Sequence, residues 1–128
     1  GSRSPWDDGR MIAGIGVDVV DLKRFEHALV RTPALIPRLF AEGERGKPLR
    51  SLAGRFAAKE ALIKAIGDSS GVQWTDMAVV NDTLGNPSFE LTGGTAALVE
   101  RLGIARIHLS MSHDAGIAVA QVVLERDA

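Results

Sequence analysis

Cysteine is absent from the 128-residue chain. Disulfide bonds, zinc sites built on thiolates and cysteine nucleophiles are therefore all excluded. No apolar run approaches the ~20 residues that a membrane-spanning helix needs, and the chain does not begin with a signal-peptide pattern. We therefore expect a cytoplasmic protein that works in a reducing compartment without membrane association.

An excess of charge of one sign is also lacking. The chain has 15 basic and 16 acidic residues, which give a net charge of −1. Without a strong positive field, nucleic acid is not an expected partner. Hydrophobic residues make up 45% of the chain, which argues against disorder, and the length suits one domain.

The first ten residues, "GSRSPWDDGR", differ from the rest because they are polar and show no periodicity. We interpret residues 1–10 as an expression remnant and residues 11–128 as the functional domain. Neither an internal repeat nor a low-complexity linker divides that domain.

Hydrophobic periodicity in residues 11–128 predicts an α+β fold, with a mostly antiparallel sheet and helices packed on it. Thr32 and Ser51 are predicted to cap the second and third helices, and Gly67 to end the third. His113 and Asp114 are expected in the turn between the last two strands. The predicted strands are 11–20, 76–82, 87–91, 105–112 and 116–125, and the predicted helices are 21–31, 32–40, 51–66 and 93–103.

The first predicted strand has one face almost free of side chains. Alternation puts Gly14, Gly16 and Asp18 on that face, so an acid stands at its far end. The segment "GIGVDV" is not a dinucleotide-binding fingerprint, because Val19 stands where the third glycine is needed. A strand whose backbone must approach another element closely is the better interpretation.

The segment "RFAAKEALIKAI" (55–66) sets Lys59, Glu60 and Lys64 among apolar residues of a helix. One interpretation is a surface pair of Glu60 and Lys64, one turn apart, with the lysines extending to solvent. The other is a functional Glu60, because a buried carboxylate is costly without a compensating cation. Four alanines spaced four apart line another flank and permit close approach of a backbone: Ala53, Ala57, Ala61 and Ala65.

Two carboxylates from separate elements, Asp18 and Glu60, are the candidate metal ligands. Oxygen donors of this kind suit Mg²⁺ held partly through water and substrate phosphates. A basic segment, residues 44–55, either contacts phosphates or is a solvated loop. The neighbouring Ser, His and Asp of "LSMSHD" (109–114) cannot form a hydrolase triad, because adjacent residues do not converge.

Two segments, "GIGVDVVDLKRF" (14–25) and "AGRFAAKEALIKAIG" (53–67), resemble the paired motifs of the holo-acyl-carrier-protein synthase family, the short class of 4′-phosphopantetheinyl transferases. The resemblance extends from Met11 to the C-terminus and includes "NDTLGNP" (81–87) and "HLSMSHD". It implies a trimer with sites at subunit junctions. It also implies Mg²⁺-dependent transfer of phosphopantetheine from coenzyme A to a serine of apo-acyl carrier protein, a step of fatty acid biosynthesis that releases adenosine 3′,5′-bisphosphate.

The resemblance also implies roles for individual residues. Asp18 and Glu60 would hold the metal, and Lys64 would lie near the coenzyme phosphates, so these three form the predicted catalytic group. Arg24, with Lys23 beside it on the first helix, would meet the acidic carrier protein. The predicted coenzyme A contacts are Arg45, Arg55, Lys64, Gly67 and His113.

One feature departs from the family pattern. Many members have a Gly-Thr-Gly run after the second motif, where this chain has "GDSSG" (67–71), which adds the charge of Asp68 near the expected phosphate path. Two other functions fit the same residues: a different Mg²⁺-dependent phosphotransfer or hydrolytic enzyme acting on a nucleotide, and a coenzyme-binding scaffold without activity.

Overall fold

A computed structural model describes residues 9–128, so most of the interpreted expression remnant lies outside the described residues. Arg10, the last residue of that segment, begins the first strand. The described part contains five strands and four α-helices, which confirms the predicted α+β class. In chain order they are β1 (Arg10–Asp21), α1 (Leu22–Arg31), α2 (Leu35–Leu39), α3 (Leu49–Ile66), β2 (Met77–Asn81), β3 (Pro87–Leu91), α4 (Gly93–Arg101), β4 (Ile104–Asp114) and β5 (Ile117–Asp127).

The strands form two antiparallel sheets rather than the single sheet that we expected. One has the order β1-β5-β4, and the other is the hairpin of β2 and β3. β1 pairs with β5 along its whole length, from Arg10 opposite Asp127 to Asp21 opposite Ile117. No helix within residues 9–128 is long and apolar enough to cross a bilayer.

Helix α3 packs on the inner face of the three-stranded sheet and forms the centre of the core. Alternate residues of β5 are buried there, in keeping with the period of a strand: Ala118, Ala120, Val122 and Leu124. Ala53, Ala57 and Ala61 of the alanine row are completely buried within the chain. The chain's own sheet therefore covers this row, which leaves it unavailable for contact with another subunit.

The glycine face of β1 explains how closely that strand approaches α3. A methyl group on Gly14 would overlap the carbonyl oxygen of Ala65, and one on Gly16 would overlap that of Ala61. The predicted close backbone approach is thus confirmed, and its partner is the alanine flank of α3. No other residue type leaves room for this contact.

The opposite face of β1 is apolar and exposed. Ile15, Val17 and Val19 expose 58%, 53% and 57% of their surface, respectively. A row of large β-branched side chains left in water at an outer strand is unusual for an isolated chain, and such patches are typical of contact surfaces.

Two helices begin at positions other than those predicted. Thr32 does not cap α2: its N–H donates to the Ala28 carbonyl at 2.9 Å and so ends α1. α3 begins two residues before Ser51, because the extended Pro48 accepts the first helical hydrogen bond from the Leu52 N–H at 3.0 Å. Ser51 instead accepts a hydrogen bond from Arg55.

Other predicted boundaries hold or shift slightly. Gly67 ends α3 in the left-handed conformation, with φ of 85°. His113 and Asp114 belong to the end of β4 rather than to a turn, because they remain paired with Ala118 and Ile117. The turn itself is formed by residues 115 and 116.

Candidate active site

A cleft of about 640 Å³ opens where the end of β1 meets α1, α2 and α3. It brings together acidic and basic side chains from three of these elements above an apolar interior. The polar residues that line it include Asp18, Asp21, Arg24, Glu60 and Lys64, and the apolar ones include Phe25, Leu35, Leu39, Phe56 and Trp74.

The backbone contact between β1 and α3 brings the two predicted metal ligands together. Two residues along a strand and four along a helix both advance by about 6 Å. The pairing of Gly14 with Ala65 and Gly16 with Ala61 continues with Asp18 beside Ala57, one turn earlier in α3. Asp18 therefore lies near Glu60 and within reach of the long Lys64 side chain. Asp18 and Glu60 both line this cleft, and their role as metal ligands stays a prediction.

Lys64 makes the direct contact with Asp18. Its Nζ lies 2.9 Å from Asp18 Oδ1 and donates a second hydrogen bond to the Val17 carbonyl at 3.1 Å. The surface pair of Glu60 with Lys64 that one interpretation predicted is replaced by this pair between helix and strand. The Asp18 side chain is 17% exposed and that of Lys64 is 54% exposed.

Glu60 lies beside this ion pair in a partly buried position. Burial raises the pKa of the Glu60 carboxyl, the negative charge of Asp18 raises it further, and Lys64 partly offsets both effects. Two neighbouring carboxylates with one ammonium between them leave an excess of negative charge. The pair is therefore suited to a further cation.

The donor set fits a hard divalent ion such as Mg²⁺. Within residues 9–128, no group of three or more His, Asp or Glu side chains is arranged to hold a metal. A pair of carboxylates is nevertheless the protein contribution expected for Mg²⁺, which keeps water and takes phosphate oxygens as its other ligands. Asp18 and Glu60 are the residues that would hold it.

Stacked aromatic rings form the apolar side of the cleft. The rings of Phe25 and Phe56 stack with centroids 5.3 Å apart, and those of Phe56 and Trp74 stack at 5.6 Å. Phe40 meets Phe25 edge to face at 6.4 Å. These contacts tie α1 to α3, so the position of Arg24 is fixed relative to the acids.

A second cavity, of about 350 Å³, contains His113 and Arg55. His113 Nε2 lies 3.2 Å from the Arg50 carbonyl oxygen. Gly54 makes room for this ring, because a methyl group there would lie 2.9 Å from His113 Nε2. Other lining residues include Pro48, Arg50, Ser51, Asn81, Gly85 and Pro87.

The turn between β2 and β3 shapes one side of this second cavity. The Asp82 carboxylate accepts hydrogen bonds from the N–H groups of Asn86 at 2.8 Å and Leu84 at 2.9 Å. The bond from Asn86 is the main reason that the pKa of Asp82 is lowered. The sequence predicts a strand on either side of the segment "NDTLGNP" but gives no role to its individual residues. Asp, Gly and Asn in this order are nevertheless typical of a rigid turn.

Arg55 is buried, and its polar atoms are turned towards the protein. Its guanidinium donates to the Val79 carbonyl, lies 3.4 Å from Glu44 Oε2 and donates to Ser51 Oγ at 3.0 Å. Only 5% of the residue is exposed. The structure therefore places Arg55 in the wall of the second cavity, where it supports β2.

Lys59 is completely buried, so the expectation that it extends to solvent is wrong. Its Nζ lies 2.6 Å from Glu44 Oε1 and donates to the Leu39 carbonyl at 2.6 Å. Burial lowers the pKa of Lys59, although Glu44 opposes that shift. Glu44 was not predicted as a functional or structural partner, and its one signal in the sequence is that it is an acid within a basic segment.

The remaining predicted coenzyme contacts lie outside both cavities. Arg45 donates to the Phe40 carbonyl at 3.0 Å and to the Pro37 carbonyl at 3.3 Å, so it closes the end of α2. Gly67 ends α3. In the loop that follows, the Asp68 carboxylate accepts the Ser70 N–H at 2.9 Å.

The two basic residues predicted to bind a partner are both exposed on α1. Arg24 lines the cleft, whereas Lys23 lies outside its lining. Asp21 caps the helix by accepting the Arg24 N–H at 2.9 Å. Among the described residues, none lines both cavities, so one chain keeps His113 and Arg55 apart from the acid pair.

Comparison with known proteins identifies this arrangement. A family model described as the 4′-phosphopantetheinyl transferase superfamily matches residues 14–120. The holo-[acyl-carrier-protein] synthase of Leifsonia xyli subsp. xyli is 64% identical over 118 residues, which cover 92% of this chain and 100% of that protein.

Solved structures agree with the sequence comparison. The holo-[acyl-carrier-protein] synthase from Neisseria meningitidis has a TM-score of 0.83 and 36% identity, over 89% of this chain and 98% of that one. A Bacillus anthracis holo-(acyl-carrier-protein) synthase in complex with CoA (3′,5′-ADP) has a TM-score of 0.75 and 37% identity, over 91% and 99%. The chain therefore belongs to the 4′-phosphopantetheinyl transferase superfamily and, within it, to the holo-[acyl-carrier-protein] synthase enzymes.

Proposed function

We propose that this chain transfers the 4′-phosphopantetheine arm of coenzyme A to a serine of apo-acyl carrier protein, with Mg²⁺ as cofactor. The observation that supports this reaction best is the convergence of Asp18, Glu60 and Lys64 in one cleft beside the basic side chain of Arg24. The reaction belongs to fatty acid biosynthesis in the cytoplasm, and its second product is adenosine 3′,5′-bisphosphate.

The chemistry is a phosphoryl transfer. The serine Oγ forms a bond to the phosphorus next to the pantetheine arm, and the bond from that phosphorus to the bridging oxygen of the pyrophosphate breaks. When bound, Mg²⁺ supplies positive charge that stabilises the pyrophosphate oxygens. Lys64 stabilises the leaving phosphate with its ammonium, since positioning and charge dominate reactions of this kind.

The serine proton goes to Glu60 through a water molecule. Glu60 lines the cleft beside Asp18, where its carboxylate can take a proton through one water molecule. Asp114, a second candidate base, lies outside the cleft lining and accepts a hydrogen bond from the Ala115 N–H at 2.8 Å. Its position supports Glu60 as the base.

The cavity of His113 binds the nucleotide part of coenzyme A. His113 and Arg50 offer polar contacts there, and Pro48 and Pro87 offer apolar surface for a base. Arg55 contributes to coenzyme binding from the wall of this cavity, where its hydrogen bond to the Val79 carbonyl also holds β2 in place. Arg45 and Gly67 lie outside the lining of this cavity, so their contribution to coenzyme A binding is indirect.

The enzyme assembles as a homotrimer with its sites at subunit junctions. The exposed row of Ile15, Val17 and Val19 supplies an apolar surface for that contact. Assembly also explains why one chain keeps the acid pair and His113 in separate cavities. In the trimer, the cleft of one copy faces the His113 cavity of its neighbour.

The carrier protein docks on α1. Carrier proteins are acidic, so the exposed Lys23 and Arg24 attract them and orient the serine towards the cleft. The proximity of Arg24 to the acid pair supports this orientation. Nucleic acid and membranes are not partners in this proposal.

Intact-mass spectrometry of apo-acyl carrier protein tests the proposal. Incubation with this chain, coenzyme A and Mg²⁺ should add one phosphopantetheine to the carrier protein, and a chelator or Glu60→Gln should prevent the addition. Adenosine 3′,5′-bisphosphate should form only when the carrier protein is present. Its formation without carrier protein would indicate a nucleotide hydrolase, and coenzyme A binding without any mass gain would indicate a scaffold.

A further inference from the structure

Lys64 already holds the carboxylate that the proposed metal requires. Its ammonium is anchored at two points on β1, at 2.9 Å from Asp18 Oδ1 and 3.1 Å from the Val17 carbonyl oxygen. The Asp18 side chain is largely buried, so its exposed oxygen surface is limited. A cation that approaches Asp18 therefore meets the ammonium close by.

Lys64 pairs with Asp18 of β1 rather than with Glu60 of its own helix. Glu60 lies one helical turn earlier on the same helix, where a glutamate and a lysine commonly pair. Lys64 nevertheless contacts the aspartate of the neighbouring strand. The ammonium thus neutralises the carboxylate to which it is hydrogen-bonded.

Two cations cannot share Asp18 at contact distance without strong repulsion, because the interaction between like charges grows as their separation falls. Binding of a divalent ion by Asp18 therefore favours release of the ammonium. Lys64 can move away, because more than half of its side chain is exposed and it has four rotatable bonds. Displacement would leave a cation next to the metal and available to an anion.

We propose that Lys64 is an internal competitor of the divalent ion: it holds Asp18 in the metal-free enzyme, and the ion releases it towards the phosphate groups of the substrate. This inference rests on the proposed metal site. It means that metal alone binds weakly, because the pair must be broken. A phosphate-bearing ligand gives the released ammonium a new partner, so metal and ligand strengthen each other's binding.

Metal affinity in the absence of coenzyme A is the measurement that tests the inference. The amount of free Mn²⁺ is followed by electron paramagnetic resonance during titration of the 128-residue chain. Lys64→Met should bind Mn²⁺ about three- to tenfold more tightly than the parent, since it removes a charge-assisted hydrogen bond. Lys64→Arg should stay near the parent, because it keeps a competing cation.

Lys47→Met is the matched control. It removes the same charge from a residue that lines neither the cleft nor the His113 cavity, so its Mn²⁺ affinity should match the parent. A second readout follows the ammonium directly. The ¹⁵N resonance of Lys64 Nζ should move when Mg²⁺ is added to the parent and stay in place in Asp18→Asn.

The outcomes separate this inference from the proposed function. If Asp18→Asn weakens Mn²⁺ binding while Lys64→Met binds no more tightly than Lys47→Met, the competition is disproved and the metal site stands. If Asp18→Asn and Glu60→Gln both bind Mn²⁺ like the parent, the proposed metal site itself is wrong. Thermal unfolding of every variant confirms that each is folded.

Discussion

At the scale of single residues, the electrostatic character of the site comes from side chains placed where water only partly reaches them. Glu60 combines partial burial with the nearby charge of Asp18, and both effects favour its protonated form. Ionised Glu60 therefore lowers the stability of the metal-free protein. A bound cation would reverse that cost, which links metal binding to folding.

Glu60→Gln should stabilise the metal-free protein at neutral pH while it abolishes transfer. The pKa of Glu60 in the folded state is raised above its ordinary value of 4.5. Between 4.5 and that raised pKa, the folded state binds more protons than the unfolded state. The free energy of unfolding of the parent therefore falls as pH rises through that window, and the variant lacks this loss. Melting temperatures with chelator present should coincide near pH 4 and diverge towards pH 7.

A result in the opposite sense would contradict this assignment. A variant less stable than the parent at pH 7 would mean that ionised Glu60 is stabilised by contacts that outweigh its burial. Asp76→Asn is a poor control because Asp76 binds Thr95 in the first turn of α4. Glu90→Gln is better matched, since Glu90 is exposed on β3.

Glu44 illustrates a residue whose importance is structural. It is 2% exposed and contacts both Lys59 and Arg55, and its carboxylate also accepts the N–H groups of Ala41 and Val79. One buried anion thereby joins a loop, a helix and a strand. Removing it would leave the buried Lys59 ammonium without its counter-charge.

Glu44→Ala should lower the free energy of unfolding by about 3–5 kcal/mol, the cost of breaking a buried ion pair from one side. Denaturant unfolding at constant pH measures the change. Glu42→Ala, two residues earlier and exposed, serves as control and should change stability by less than about 0.5 kcal/mol. A loss below 1 kcal/mol in Glu44→Ala would show that water replaces the carboxylate.

At the scale of elements, the contact of β1 with α3 decides where the acids lie. Gly16→Ala should destabilise the protein by about 1–3 kcal/mol, because the new methyl group meets the fixed carbonyl of Ala61. Gly46→Ala is the control, since nothing lies within 4 Å of its added methyl group. Denaturant unfolding compares them, and equal stabilities would disprove the close contact.

Many of these elements could be predicted from the sequence, because periodicity reports which face is buried. The alternation in β1 predicted the glycine face that α3 covers, and Gly67 marked the end of α3. Tertiary partners could not be predicted in the same way. From the sequence, Lys64 could pair with a residue of its own helix or with one of β1. The pairing of Lys59 with Glu44 depends on how the loop before α3 packs against that helix.

The predicted starts of α2 and α3 were wrong where two local sequence rules competed. Thr32 fits an N-cap by residue type, yet its N–H ends α1. Ser51 fits one too, yet Pro48 starts the helix earlier, since a proline needs no N–H partner at that position. Asp18 and Glu60 could be selected because both lie within motifs. The part that the turn between β2 and β3 plays in the His113 cavity could be seen only in the folded hairpin.

At the scale of the whole molecule, the proposed shared site predicts that two inactive variants can restore each other. Glu60→Gln disables the cleft and His113→Ala disables the second cavity. Co-expressed chains should form mixed trimers in which some junctions contain both an intact Glu60 and an intact His113. Transfer activity, measured by the mass of the carrier protein, should then exceed that of either variant alone.

The control uses separately purified variants mixed just before the assay, before subunits can exchange. Activity that stays at the level of the single variants after co-expression would place both residues in one chain's own site. Val17→Asp adds a test of assembly, because a charge in the exposed apolar row should give monomers in size-exclusion chromatography.

The glycine face of β1 has a consequence for how this enzyme can change over evolution. Where Gly14 and Gly16 meet α3, main chain touches main chain, with no side chain between them as a spacer. The gap between the segments that carry Asp18 and Glu60 is therefore set by peptide geometry, which is the same for every sequence. Substitutions elsewhere in the interior should therefore leave the separation of Asp18 from Glu60 unchanged, and we expect it to persist among relatives whose other core residues differ.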